Sequence, residues 1–453
     1  MVKFEYLETM IKNFLLVALL SVGFIVKADN APLKFYSDSV ASVGVVVYDL
    51  KAKKEVLDYN GGKTFVPAST LKLVTSAAAI SLYPIDFQYE TPAYIDGKIV
   101  NGTVYGDIII KGVGDPTIKS RHFPDNQTFV GDIISALKEK GVKSINGNII
   151  VDTGDQKNQG KLGSWEIEDG YYEYGTGWYA FNYSDNVLHL NPSSMELQET
   201  VEIEDIASIV DGNLFLTQSF GASYNEIDDT DSFENNRDIV IPNPYPGSML
   251  ISELNAKFSE EGINLIYDED YVDNQEETDS IPLASYYSPA LKAILTDLMY
   301  RSDNMMAEST LRLLAPGKSL KEALKVEKDF YESKGISTEL MTIKDGSGLS
   351  RTDAVSPKFM VEVLKMMSGN TDFIDIFPRA GVNGTLKNTF KGSKIEGLAA
   401  LKSGSMGGVR CYAGYLLDEN ENPAYAISIM VNNYKCPLRE IHKAIEIFLE
   451  KYY

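Results

Sequence analysis

The chain has 453 residues, with 64 acidic and 42 basic side chains and a formal net charge of −22. That length suits about three domains with ample core, and the acidic balance excludes nucleic-acid binding, which draws its affinity from clustered Lys and Arg. Three histidines (His122, His189, His442) and two cysteines (Cys411, Cys436) supply no HExxH and no CxxC. The common zinc frameworks are therefore excluded, no metal or cofactor is expected, and hydrolytic chemistry here must find a base other than histidine.

Residues 1–28 read as a targeting segment. Lys12 precedes an apolar run from Phe14 to Val26, shorter than the roughly 20 residues a membrane span needs. Val26-Lys27-Ala28 offers small side chains where a signal peptidase cuts. The expectation is an exported protein, periplasmic or extracellular, cleaved near Ala28 and making at most peripheral membrane contact. Glu5 and Glu8 are unusual in a basic leader, which makes Met10 an alternative start. An uncleaved anchor is the competing reading.

Val43 to Asp49 and Glu55 to Tyr59 predict two strands, and Ser69 to Leu82 predicts a helix. From Pro84 to about Pro282, short β-type runs (Gly106 to Lys111, Gly147 to Asp152, Asn186 to Leu190, Asp238 to Ile241) alternate with Gly, Asn, Asp and Pro. One helix, Val130 to Lys140, interrupts them, and two acidic loops, Glu226 to Asp231 and Asp268 to Asp279, carry much of the charge. Helical signals return at Ser288-Pro289, which predicts an N-cap followed by proline at the first helical position. Ser319-Leu320-Lys321-Glu322 forms a capping box for a helix ending near Gly335. Gly414 to Leu417 and Ala424 to Val431 predict a hairpin, and Pro437 to Tyr453 an amphipathic helix packed on a sheet.

The architecture that follows is α/β: one domain from residues 29–83 and 284–453, with a β-rich insertion at 84–283. Export permits a Cys411–Cys436 disulfide; two separately buried thiols fit equally well.

Three short motifs carry chemistry. In Pro67-Ala68-Ser69-Thr70-Leu71-Lys72, Ser69 and Lys72 are spaced i, i+3 and share one helical face. The helix around them is apolar, and burial lowers a lysine's pKa and makes it a base for a neighbouring hydroxyl. Alone, the pair also fits a helix cap with a snorkelling lysine. Ser302-Asp303-Asn304 interrupts two helical stretches and either caps the second or aims a hydroxyl and an amide into a cleft. Lys402-Ser403-Gly404-Ser405 lies where a strand edge is expected, on which a peptide can pair with the backbone; a polar turn is the plainer alternative.

SxxK, SxN and K-[ST]-G in this order are the signature of penicillin-binding proteins and serine β-lactamases. The chain resembles the D-alanyl-D-alanine carboxypeptidase/endopeptidase family, the class C low-molecular-mass penicillin-binding proteins of the penicillin-binding protein 4 type. Asp345-Gly346-Ser347-Gly348-Leu349-Ser350-Arg351 is similar to that family's DGSGLSR segment. Gly381-Val382-Asn383-Gly384-Thr385-Leu386 is similar to its GVDGTL, with Asn for Asp, and Gly114-Asp115-Pro116-Thr117 to its GDPT. About 230 positions separate Lys72 from Ser302, a gap this family fills with two small nested domains.

The resemblance implies a transpeptidase-type fold, an antiparallel sheet with flanking helices. It also implies acyl transfer through Ser69 with Lys72 as general base, and a proton relay through Ser302 and Lys402. Asn304 is expected to hold the substrate or Lys72, and Lys402 and Ser403 to take the terminal carboxylate beside Gly404. The backbone N–H groups of Ser69 and Ser405 are expected to form the oxyanion hole. Arg351 and an inserted-domain acid, for which Asp152 is the candidate, are expected to bind the diaminopimelate end of the stem peptide. The implied partners are peptidoglycan stem peptides and, as covalent inhibitors, β-lactams. A serine β-lactamase and a non-catalytic cell-wall or β-lactam-binding protein are the alternatives.

Overall fold

The computed structural model describes residues 32–33, 40–154, 159–190, 207–210, 213–217, 224–226, 239–266 and 280–453. The targeting segment at 1–28, the acidic loop at 268–279 and most of Glu226 to Asp231 lie outside the described residues. In chain order, β1 (Ser42–Asp49) and β2 (Lys54–Tyr59) lead through one 3-10 turn (Ala68–Leu71) into α1 (Lys72–Leu82). There follow β3 (Glu90–Val100), β4 (Thr103–Lys111), α2 (Phe129–Glu139), β5 (Ser144–Asn146), β6 (Ile149–Asp152) and β7 (Val187–Leu190). Short strands β8 (Ala207–Val210), β9 (Asn213–Thr217) and β10 (Tyr224–Glu226) precede β11 (Ile239–Pro242), α3 (Pro246–Glu260), β12 (Asn264–Ile266) and β13 (Ser280–Tyr287). Helices α4 (Leu291–Arg301), α5 (Asn304–Leu313), α6 (Leu320–Ser333), α7 (Pro357–Met367) and α8 (Thr371–Asp375) then lead to β14 (Ala399–Met406), β15 (Val409–Leu417), β16 (Pro423–Asn432) and α9 (Leu438–Leu449).

Both ends of the chain build one antiparallel sheet in the order β14-β15-β16-β1-β2. Strand periodicity divides its side chains between two cores. Val43, Val45 and Val47 face Ile441, Ile445 and Phe448 of α9. Val46, Ala413 and Tyr415 face the opposite way, into the core shared with α1 and α4 to α7. The remaining face of α9 is charged, as its amphipathic pattern requires.

The middle of the chain has its own mixed sheet, β12-β5-β4-β3-β13 with β6 also on β4, and its own apolar core under α2 and α3. Strands β7 and β11 pair separately, as do β8 to β10.

Several elements depart from expectation. The segment Pro246–Glu260 is a 15-residue helix in a region read as strands with a single helix. Its opening Pro-Gly resembles a chain break, yet Pro at the first helical position forfeits no hydrogen bond. Strands β3 and β13 were hidden by their own Pro92, Gly97 and Pro282, residues that usually end strands; the β13–β3 register shifts between Pro282 and Ala284. Ser288 is not the cap of α4: the helix begins at Leu291 after Ala290, and the Ser288 hydroxyl instead accepts from Tyr89 N at 2.9 Å. The Ser319–Glu322 capping box forms as its sequence dictates. Cys411 and Cys436 are both buried and are not joined by a disulfide. No described helix is long and apolar enough to cross a membrane.

Candidate active site

Ser69 sits in the tight turn that opens α1. Ala68, just before it, is left-handed at φ 45°, a conformation a side chain adopts only under tertiary constraint. The constraint comes from two glycines. Gly348, at φ 77°, lies so close that a Cβ would come 2.0 Å from Ala68 O, and a Cβ on Gly404 would come 2.7 Å from Pro67 O and 3.0 Å from Ser69 N.

Lys72, one turn beyond Ser69, is fully buried. Its Nζ donates to Ser69 Oγ at 3.0 Å, Asn304 Oδ1 at 2.6 Å and the Ser347 carbonyl at 2.7 Å. Burial pulls its pKa down to about 8, with Asp345, Asp303, Glu308 and Asp353 opposing the shift. Geometry gives the neutral amine a direction. Asn304 Oδ1 and the Ser347 carbonyl can only accept, so they take its two hydrogens and leave the lone pair facing the one partner that can donate, the Ser69 hydroxyl.

The Ser302-Asp303-Asn304 tripeptide both caps and lines the site. Ser302 ends α4 in the left-handed region at φ 64°. Asp303 caps α5, its Oδ1 accepting from Met306 N at 2.8 Å. With the cap filled by Asp303, Ser302 and Asn304 turn toward the lysines. Lys402, fully buried on edge strand β14, donates to Ser302 Oγ at 2.9 Å and to Ser403 O at 2.8 Å. Burial, then the nearby charges of Lys72 and Arg410, hold its pKa well below the usual lysine value.

Ser69, Ser302, Asn304 and Ser405 border one cleft of about 360 Å³, together with Arg351, Glu166 and Asp169. Arg351 pairs with Glu166, Nε to Oε1, at 2.6 Å. Asp152 does not reach this cleft: it ends β6 opposite Lys111, and its Oδ1 accepts from Gly154 N at 2.8 Å. Among the described residues no histidine borders the cleft.

Several supporting interactions were not anticipated from sequence. Ser403 Oγ donates to Thr385 Oγ1 at 2.9 Å, which ties the GVNGTL segment to β14. Asn304 Nδ2 donates to the Tyr174 carbonyl at 2.6 Å, so the middle of the chain reaches the Asn304 amide; a backbone acceptor leaves no residue-type signal. Beneath Lys72, Glu308 Oε1 accepts from Gly346 N and Ser347 N at 2.9 and 3.0 Å. Asp345 accepts from Gly348 N, Ser350 N and the indole of Trp165. Burial, reinforced by the Asp345 charge, pushes Glu308 up to about 8 and Asp353 well above the carboxylate range. The loop carrying the Ser347 carbonyl is therefore held by buried carboxyl groups.

Residues 37–452 match the D-Ala-D-Ala carboxypeptidase 3 (S13) family. The D-alanyl-D-alanine carboxypeptidase DacB of Haemophilus influenzae is 27% identical over 444 residues, covering 92% of this chain and 91% of that protein. A D-alanyl-D-alanine carboxypeptidase of an Actinomadura species is 23% identical over 446 residues, 90% of this chain and 81% of the relative. Penicillin binding protein 4 of H. influenzae superposes with a TM-score of 0.72 at 22% identity, covering 93% of this chain and 98% of that one, which establishes the shared fold. The residues lining the cleft fall within the matched span, and the chain belongs to the D-Ala-D-Ala carboxypeptidase 3 (S13) family.

Proposed function

We propose that the chain is an exported serine D-Ala-D-Ala carboxypeptidase acting on peptidoglycan stem peptides, with endopeptidase action on D-alanyl cross-links as the same chemistry on a branched substrate. The observation that carries this reading is the three-way seat of Lys72 Nζ, which directs its lone pair at Ser69 Oγ. Ser69 Oγ attacks the carbonyl carbon between two D-alanines and its proton passes to Lys72. The Ser69 and Ser405 N–H groups hold the oxyanion. The C–N bond then breaks, and a proton reaches the leaving amine through Ser302 Oγ, backed by Lys402. Water cleaves the acyl ester, releases the shortened peptide and restores Ser69. Lys402 and Ser403 take the terminal carboxylate, and β-lactams, which carry a reactive amide and a carboxylate in the same relation, acylate Ser69.

In the accompanying domain organisation, residues 1–28 are a cleaved signal peptide and 84–283 form a nested insertion whose Tyr174 carbonyl completes the site.

The test measures D-Ala release from a pentapeptide ending in D-Ala-D-Ala, and protein mass after penicillin treatment. D-Ala release and a long-lived adduct are expected from the wild type, with both lost in Ser69→Ala. An adduct that persists in Ser69→Ala would sink the assignment, and rapid penicillin turnover would favour a β-lactamase.

Arg351 and Glu166 make an exposed pair at the cleft mouth, suited to the ammonium and carboxylate of a diaminopimelate side chain. Arg351→Gln is expected to raise KM for a diaminopimelate-containing stem peptide about tenfold, the loss of one charge-assisted bond, and to leave penicillin acylation within about twofold. Equal losses on both would place Arg351 in the chemistry instead.

A further inference from the structure

In its neutral form Lys72 gives its two hydrogens to Asn304 Oδ1 and the Ser347 carbonyl. Both acceptors are themselves held from one short segment in the middle of the chain. Asn304 Nδ2 donates to the Tyr174 carbonyl at 2.6 Å. A backbone carbonyl can only accept, so it fixes which end of the amide faces Lys72. Turned over, the amide would set Nδ2 against the lysine hydrogens and Oδ1 against the Tyr174 oxygen, two repulsive contacts at a residue only 7% exposed.

The second acceptor is held through a single peptide group. The Ser347 carbonyl and the Gly348 N–H belong to one planar unit. The 2.6 Å bond from Gly348 N to Asp345 Oδ1 therefore sets the direction of the carbonyl that Lys72 meets. Asp345 is fully buried, and its other oxygen accepts from Ser350 N at 2.8 Å and Trp165 Nε1 at 2.7 Å. Gly348 N and Ser350 N lie in Asp345's own loop; the indole comes from 180 positions away. Trp165 and Tyr174 are joined through two 3-10 turns, Glu168–Tyr171 and Glu173–Gly175. A Cβ on Gly175 would run into the Asp169 carbonyl, so the turns touch backbone to backbone and the segment forms one strut.

We propose that the Trp165–Tyr174 segment positions the Lys72 amine, and that Trp165 is a positioning residue acting through Asp345 and the Ser347–Gly348 peptide. The two ends of the segment fix both acceptors, and the lone pair that remains is aimed at Ser69 Oγ. The proposal rests on the reading of Lys72 as the base. It gives the middle of the chain a part in the chemical step, besides the Glu166 and Asp169 carboxylates that it brings to the cleft.

The chain's two tryptophans make a matched pair for the test. Trp165→Phe removes the indole N–H bonded to Asp345. Trp178→Phe removes the same atoms from an equally buried residue whose Nε1 has no hydrogen-bond partner among the described residues. Penicillin acylation of each, followed over a range of concentrations, separates the limiting rate from the half-saturating concentration. In Trp165→Phe the limiting rate is expected to fall about tenfold, the scale of a slightly misplaced base, with the half-saturating concentration within about twofold. Trp178→Phe should match the wild type in both. Replacing Trp165 by benzothienylalanine, which keeps the indole's shape and lacks its N–H, should reproduce the loss without a packing defect. An unaltered limiting rate in that isostere, a loss confined to the half-saturating concentration, or an equal fall in Trp178→Phe would overturn the proposal. Lys72→Met keeps two failures apart. Acylation at the wild-type rate in Lys72→Met sinks the base reading itself; slow acylation there beside an unaltered isostere removes only the positioning role.

Discussion

Replacing Lys72 by methionine is expected to slow penicillin acylation by about 10²–10⁴-fold, the usual contribution of a positioned general base, while the protein still unfolds cooperatively. Methionine fills similar volume and leaves no buried charge, so the loss reads chemistry rather than collapse. The pH dependence supplies a second signature. Only the neutral amine can take the Ser69 proton, and burial brings the Lys72 pKa down to about 8. Acylation by the unaltered protein should therefore rise as pH climbs through about 8 and level off above it. Stopped-flow acylation between pH 6 and 10 measures both effects. A flat profile across that range, or an unaltered rate in Lys72→Met, would remove lysine from the role of base.

The second large effect comes from a residue with no side chain. Gly348 combines φ 77° with a Cβ position 2.0 Å from Ala68 O and 3.0 Å from Leu71 Cβ. Gly348→Ala must strain its own backbone, at about 1–2 kcal/mol, and push the Ser69 turn aside, at a further 1–3 kcal/mol typical of overpacking. The expected result is a loss of about 2–5 kcal/mol in stability, with acylation slowed as well because Ser69 shifts relative to Lys72. Gly392→Ala is the control. Gly392 shares the positive φ, 76°, but a Cβ there meets nothing within 4 Å, so only the backbone cost of about 1–2 kcal/mol should appear, with acylation unchanged. Chemical denaturation and acylation rates on the two variants separate the terms. Equal effects would mean that the approach of Gly348 to Ala68 does not hold the turn.

The residues that meet at the cleft were legible as three ordered motifs because each is set by local chemistry: a hydroxyl and a lysine one helical turn apart, and a lysine and glycine on an edge strand. The hairpin of β15 and β16, the capped α6 and the amphipathic α9 were legible for the same reason, their signals being periodic or confined to four residues. Helix α3 and strand β13 were not, because Pro-Gly and Pro punctuate them and tertiary packing overrides those breakers. The N-cap assigned to Ser288 failed for a related reason. Its hydroxyl is claimed by Tyr89 N, almost 200 residues away in sequence, a competition invisible from the local pattern.

The acid paired with Arg351 shows the same limit. Asp152 has the right residue type on a strand end, but the fold brings Glu166 to Arg351 and leaves Asp152 closing its own turn. By itself the sequence determined which groups are available for chemistry: two lysines, two serines and an asparagine in motifs, with only three histidines to compete. Only the tertiary structure decided which way each one points. The Lys72 amine is aimed at Ser69 because Asn304 and the Ser347 carbonyl, 232 and 275 positions away, accept its two hydrogens; a lone pair's direction depends on its distant neighbours, and no local pattern encodes those.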